Sequence, residues 1–416
     1  MVSIRLLIQW SFRVLESYII EWLSLIFRWL HVVTGVAWIG ASFYFIWLDN
    51  HLTEPPSWKR KKGIKGDLWA IHGGGIYEVA KYKLAPEEMP EMLHWFKWEA
   101  YSTWLTGMVL LTLIYYLGAE SYLIDPSVAE LEHWEAIFLG LGFIIGSYIC
   151  YELLCLSPLG KNSYLLASTL IIAGTSLSFA LTQTFSGRGA YIHFGAIIGT
   201  LMVGNVFRVI MPSQRALINA INKNEPLDSK WGTKAKLHST HNTYLTLPLI
   251  FIMISSHYPM TYGHSFNWLI LIAIIAITAV TRHFFILRHK KILKPFILIG
   301  AAASTIMLAI IISPPSPKRA LTLDANQLAD LATNAQNVIQ MRCNSCHSSN
   351  PTDDVFVTAP GGVKFDTLAE AKQWSARIKA RAVDTTDMPF MNKTGMLDEE
   401  RTVLENWILS GSPIAQ

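Results

Sequence analysis

The chain has 416 residues, 51% of them apolar and only 15% charged, with a formal net charge of +4 and a mean hydropathy of +0.32. Soluble domains carry roughly a quarter charged residues, so this balance excludes an ordinary soluble enzyme and points to a membrane protein. A net charge this small offers no basic surface for nucleic acid, and no such partner is expected.

In chain order, residues 1–17 place Ile4, Ile8, Phe12 and Leu15 at helical spacing, with Arg5, Gln9, Arg13 and Glu16 between them. That pattern predicts an amphipathic helix lying at the lipid interface. No short apolar region ending in a small-residue cleavage site marks a signal peptide. Eight stretches, roughly 19–47, 98–118, 134–156, 163–184, 189–211, 240–257, 266–287 and 293–313, are long and apolar enough to cross a bilayer. The sixth contains Pro248, which a membrane helix tolerates. The 15 Trp and 15 Tyr suit interfacial aromatic belts. Cys150 and Cys155, five apart in an apolar run, read as buried thiols without a role.

The connections set the orientation. Loop 48–97 is rich in Lys, with Lys59, Arg60, Lys61, Lys62 and Lys65 close together, and loops 212–239 and 288–294 are also basic. The alternate loops are nearly free of Lys and Arg: 119–133 has none, 185–189 has only Arg188, and 258–265 has none. Basic loops stay in the cytoplasm, so with eight spans both termini are expected on the outer side, in the periplasm. Within loop 48–97, Gly73–Gly75 is a weak candidate for a phosphate cradle, since no strand is predicted before it and no Gly-Lys-Ser/Thr follows. A tight turn that places His72 and Tyr77 is the expectation.

Ionisable residues inside spans are costly and are functional candidates. Glu152, Arg208, His241, Arg282 and His283 fall toward the cytoplasmic ends of their stretches, with Asn205 and Asn242, and loop residues His72, Tyr77, His94, Lys97 and Glu99 join them there. His193 and His257 fall toward the outer ends, and His31 lies between. For Arg282, near Arg288 and Lys290, snorkelling to the headgroups is an equal alternative.

Ser313–Arg319 is a Pro-rich exit from the last stretch. Beyond it, helices are predicted over 325–341, 367–383 and 398–410. Residues 343–347 read Cys-Asn-Ser-Cys-His, the pattern of covalent c-type haem attachment, in which the two thiols bond the porphyrin and His347 ligates iron. A zinc site would need further Cys or His nearby. Met388, in Asp387–Met391 between the second and third helices, is the expected sixth ligand, with Met391 and Met396 as competitors. Haem c is attached outside the cytoplasm, the side to which the charge pattern independently assigns this segment.

The chain is therefore read as all-α: an amphipathic segment 1–17, a polytopic membrane helix bundle of about eight spans over 18–315, and a small helical cytochrome c domain over 316–416.

The segments RWLHVVTGVAWIGASFYFIWLDN (28–50), HGGGIYEVAKY (72–82), LHWFKWEAYSTWLTG (93–107), GNVFRVIMPSQ (204–214) and HNTYLTLPLIFIMISSHYP (241–259) resemble the bacterial membrane-bound urate oxidase family. In that family a urate-oxidase N-terminal membrane domain is fused to a cytochrome c. The resemblance covers essentially the whole chain after residue 17. It implies oxidation of urate to 5-hydroxyisourate at the bacterial inner membrane, with electrons passed to the attached haem c rather than to dioxygen, and on to a respiratory acceptor.

A urate site needs a cation, amide-type partners, an aromatic wall and a base. The candidates are Arg208 for the anion, Asn205 or Asn242 for the purine edge, Trp95 or Tyr77 for stacking, and His72 or His241 for the proton. A substrate site inside and a haem outside leave a whole bilayer between them. A b-type haem held by His31, His193 and His257 is the candidate relay, and LHVVTGVAWIG faintly resembles the haem-binding first helix of a membrane protoporphyrinogen oxidase family. An outward-opening urate pocket is the alternative. Two other functional classes stay open: a different membrane dehydrogenase, oxidising a quinol or porphyrinogen, and a non-enzymatic tethered electron carrier.

Overall fold

The computed structural model describes the backbone of residues 2–86, 88–313 and 323–414, with side chains described from residue 18 onward except that of Ser229. The Pro-rich segment Ser313–Arg319 lies, after Ser313, outside the described residues. Helix α1 runs unbroken over Val2–His51, so the segment predicted as a separate interfacial helix continues directly into the first span. No helix breaker separates the two: residues 14–34 contain neither Gly nor Pro.

Each of the eight apolar stretches falls in a helix. After α1 come α2 (Trp98–Leu111), α3 (His133–Leu156), α4 (Ser163–Thr182), α5 (Gly187–Gly204), α6 (Ser229–Ser255), α7 (Asn267–His289) and α8 (Phe296–Ile311). Five helical segments among the described residues meet the length and hydropathy needed to cross a bilayer, and α8 is shorter but apolar. The chain is a membrane protein. Two helices are extended by π-helical turns, α2 by Thr112–Tyr116 and α5 by Asn205–Ile210, which leads on into Met211–Asn222.

Helices α1, α2, α5, α6 and α7 pack pairwise in a closed ring, with α3 and α4 against α5, and α8 against α7. Inside a membrane, helix association rests on close packing rather than on the hydrophobic effect, and the small residues of α5 provide it. A Cβ added at Gly195 would lie 2.5 Å from Met253 and 2.7 Å from Ile252 of α6. The core of this bundle gathers Tyr115, Tyr116, Leu181, Phe185, Tyr191 and Ile252, all nearly or wholly buried.

One departure from an all-helical chain lies in the basic loop. Strands β1 (Ile64–His72) and β2 (Gly75–Tyr82) form an antiparallel hairpin. Gly73 and Gly74 both have positive φ, 55° and 81°, the requirement of a two-residue hairpin turn. The expectation that no strand precedes the glycines is therefore corrected, and the tight turn beside His72 stands. Lys59, almost fully buried, pairs with Asp67 and Glu78 under Trp58 and Trp69 and ties the hairpin down.

The C-terminal part has its own core. Helix α9 (Ala325–Arg342) begins with a reciprocal cap in which Asp324 accepts from Gln327 N and Gln327 accepts from Asp324 N. Its Ala332, Ala335 and Ile339 pack with Leu404 and Trp407 of α11 (Asp398–Leu409). The predicted helix 367–383 is broken: α10 (Leu368–Gln373) ends at Trp374, and a short helix Ser375–Ile378 and a π-helical turn follow.

This C-terminal part docks on the loops poor in Lys and Arg. Tyr262 Oη donates to Asp387 Oδ1 at 2.8 Å. Tyr122 meets the Phe390 ring edge-on with centroids 5.0 Å apart. The chain thus puts its C-terminal part against loops 119–133, 185–189 and 258–265 and its basic hairpin loop at the other end of the bundle.

Candidate functional sites

Two places combine polar chemistry with burial, one at each end of the bundle. At the end near the basic loops, Asn205 is completely buried. Its Nδ2 donates to Tyr151 Oη at 3.1 Å and to Asn242 Oδ1 at 2.8 Å. Asn242 is fixed in turn by donation from its Nδ2 to Met202 O at 2.9 Å. Both amide hydrogens of Asn205 are therefore used, and its Oδ1 has no partner among the described residues. Tyr151 Oη also shares a 2.7 Å hydrogen bond with His241 Nδ1, leaving the Nε2 edge of His241 to exchange a proton.

Two more buried polar atoms at this end lack partners, Glu99 Oε2 and Arg282 Nη2. Arg282 is 3% exposed. Its Nε donates to Thr243 O at 3.2 Å, and its guanidinium lies 4.2 Å from the centroid of Phe43. Tyr244 and His283 share a 2.6 Å hydrogen bond beside it. A buried polar group without a partner costs about 1–3 kcal/mol, more when charged, and native folds rarely keep one without a use. Glu99, Asn205 and Arg282 belong to α2, the turn after α5, and α7, all members of the closed ring. An acceptor amide, a carboxylate and a cation are thus left with unpartnered atoms on three helices of one ring.

At the other end, a cavity of about 370 Å³ is lined by Cys343, Cys346, His347 and Met388, with apolar walls from Val363, Phe365 and Trp374. The two thiols are free. Burial raises both: Cys343 up to about 12, with Cys346 beside it adding to the shift, and Cys346 up to about 11, where Ser345 partly offsets burial and Asp353 adds to it. Burial lowers His347, partly offset by the hydrogen bond in which its Nδ1 donates to Val363 O at 3.1 Å. That bond turns Nε2 into the cavity's free ligand atom. Met391 and Met396 are absent from the lining, and Met396 is buried in the core. Two thiols, a histidine with its outer nitrogen anchored, and a thioether on one apolar cavity fit a covalently held haem.

The urate oxidase N-terminal family matches residues 17–313. The chain belongs to that family. No curated protein and no solved structure matches it. The match to the urate oxidase N-terminal domain ends just before the Pro-rich exit, so the Cys343–His347 cavity lies outside it.

Within the domain, the structure places the sequence candidates unevenly. Asn205, Asn242 and His241 are brought together through Tyr151, whose importance the sequence did not signal. Arg208 is exposed on the outside of the π-helical turn, and Arg282 is the buried cation instead. Snorkelling does not describe Arg282, because its guanidinium is packed on Phe43 inside the bundle. The position could have been suspected, since Arg282 lies six residues before Arg288 and is followed by His283 on an otherwise apolar helix. His72 and Tyr77 are exposed on the hairpin, apart from the Asn205 network. Trp95 is partly buried in a small cluster with Tyr101 and Trp104.

The three histidines considered for a b-type haem lie on different elements, each with its own surroundings. His31 Nδ1 bonds Thr103 O at 2.9 Å and Thr106 Oγ1 at 3.1 Å between α1 and α2. His193 is fully buried with both nitrogens engaged, Nδ1 with Gly189 O at 2.9 Å and Nε2 with Tyr116 Oη at 3.3 Å. A Cβ at Gly140 would lie 2.6 Å from that Nε2, so α3 passes close to this histidine. His257 is exposed in the turn after α6. Among the described residues no group of three or more His, Cys, Asp or Glu is placed to hold a metal. Cys150 is exposed on α3 and Cys155 partly so, which corrects the reading of both as buried.

Proposed function

We propose that the protein oxidises urate to 5-hydroxyisourate at the Asn205 end of the bundle and delivers the electrons to a haem c in the Cys343–His347 cavity. The observation that carries the reading is the trio of buried, unpartnered polar atoms, Glu99 Oε2, Asn205 Oδ1 and Arg282 Nη2, in a member of the urate oxidase N-terminal family. Urate and one water give 5-hydroxyisourate, two protons and two electrons. Arg282 pairs with the monoanion. Asn205 Oδ1 and Glu99 Oε2 accept from purine N–H groups, and His241 takes a proton at Nε2. The Asn242 and Tyr151 bonds hold Asn205 in one orientation, which is what a specific site requires.

When bound, haem c supplies one-electron chemistry, accepting electrons in turn and releasing them to a respiratory partner. Cys343 and Cys346 would hold it covalently, and His347 Nε2 and the Met388 thioether would be the residues offered to its iron. Trp38 packs against both the buried cluster near Ala100 and Val206 and the one containing Tyr115 and Tyr116. Tyr122 continues that aromatic column to the cavity wall. This aromatic column is the candidate electron route between the two ends. The charge of the loops supports a periplasmic haem and an inner-membrane location.

The test is anaerobic addition of urate to oxidised membranes containing the chain, with the haem spectrum followed. Reduction by urate supports the reading. Reduction by a quinol but not by urate would replace it with another membrane dehydrogenase, and reduction only after adding a second complex would leave an electron carrier.

A further inference from the structure

The cavity that holds Cys343, Cys346, His347 and Met388 is not closed by the C-terminal part alone. Tyr122 and Arg188 of the urate oxidase N-terminal domain also line it. Five cations stand on its wall. Arg342 is paired with Glu400 at 3.0 Å, Arg381 with Asp387 at 2.7 Å, and Lys393 with Asp353 at 2.9 Å. Arg188 and Arg377 have no ion pair among the described residues. Arg377 instead lies 5.2 Å from the centroid of Trp374. Arg188 donates from Nε to Tyr115 Oη at 3.2 Å and lies 5.2 Å from the centroid of Tyr122.

Arg188 also sits in the first turn of α5, whose cap Ser186 accepts from Gly189 N at 3.0 Å. The helix dipole disfavours a cation there and favours an anion. An unpaired guanidinium, half-buried beside a positive helix end and facing a cavity, is a carboxylate receptor lacking its carboxylate.

The geometry points to Arg188 as the partner of a porphyrin propionate, a contact made across the two parts of the chain. A haem has two propionates, and the wall has two unpaired guanidiniums. Tyr115 sets the angle of the Arg188 plane, and Tyr122 forms its floor. The bound group is thereby pinned by the same domain that supplies its electrons, and Arg188 acts as a positioning residue. This inference rests on the haem reading of the cavity.

The experiment is a redox titration of the purified full-length chain, preceded by a pyridine haemochrome assay. Loss of a cation beside a propionate stabilises the ferric state, so Arg188→Gln is expected to shift the haem midpoint potential downward and Arg188→Lys to restore most of the shift. Full haem content with an unchanged midpoint in Arg188→Gln would overturn the Arg188 assignment while leaving the haem reading intact. Absence of covalent haem from the unaltered chain would overturn both. If Arg188→Gln fails to take up haem, Tyr115→Phe is titrated. It keeps the charge but frees the guanidinium, and a midpoint identical to that of the unaltered chain would then count against the assignment.

Discussion

Tyr262 Oη donates a 2.8 Å hydrogen bond to Asp387, whose second oxygen accepts from Arg381 at 2.7 Å. Tyr262 ends the short helix Pro259–Tyr262 between α6 and α7, and Asp387 lies one residue before Met388, so the bond ties the membrane bundle to the cavity wall. A hydrogen bond to a charged acceptor contributes about 1.5–3 kcal/mol. Tyr262→Phe is expected to loosen docking by about that much without unfolding either part. Faster amide hydrogen exchange over 384–392, with exchange in α9 and α11 unchanged, is the measurement that checks it.

The unpaired trio predicts a ranking of variants. Asn205→Ala and Arg282→Gln each remove a charge-assisted or otherwise unavailable contact, about 1.5–3 kcal/mol. Urate-dependent haem reduction should fall roughly 10- to 100-fold in each, with haem content preserved. His241→Ala should also slow it. Arg208→Ala, on the exposed side of the π-helical turn, should change the rate little. Equal losses in Arg208→Ala and Arg282→Gln would send the substrate site elsewhere.

Among the three methionines, only Met388 faces the cavity. A thioether ligand raises the potential of haem iron, so Met388→Ala should lower the midpoint. Met396→Leu, a nearly volume-conserving change in the core, should cost less than about 1.5 kcal/mol of stability and leave the midpoint where it was. Titration of both variants separates ligation from packing.

Asp353 gives the C-terminal part a sensitivity to acid. Burial works against its ionisation, but Lys393 at 2.9 Å and the backbone N–H groups of Val355 and Phe356, at 2.8 and 2.9 Å, outweigh it and hold the carboxyl below its ordinary value. A carboxyl depressed in the folded state contributes stability that is present above its unfolded pKa of about 3.9 and lost as pH falls through the lower folded value. Thermal unfolding of the C-terminal part should therefore shift down below about pH 4. Asp353→Asn should start less stable at neutral pH and lose less on acidification.

Much of this architecture was legible in the chain. Every apolar stretch became a helix because a bilayer-length run leaves the backbone no other way to satisfy its hydrogen bonds. The Cys-Asn-Ser-Cys-His pentad and Met388 met on one cavity, as their types suggested. The hairpin was hidden because its strands lie among lysines, which favour a loop reading, although Gly73 and Gly74 carried the turn signal. That Arg208 is exposed while Arg282 is buried was only partly legible. Residues three apart share a face in a regular α-helix, which would put Arg208 beside Asn205. The π-helical turn changes that rotation, and only packing shows which way each side chain went. The break of the predicted 367–383 helix at Trp374 is of the same kind: the periodicity continues while the backbone does not.

That π-helical turn, Asn205–Ile210, makes chain length a constraint in its own right. A π turn carries an extra residue relative to an α turn, so removing one would let the backbone relax to ordinary α geometry, leave Met211 near its buried seat and abolish the wide turn that presents Asn205. A single-codon deletion in this window should therefore do more harm than most single replacements within it. Among distant homologues, a gap placed there would mark a rebuilt pocket.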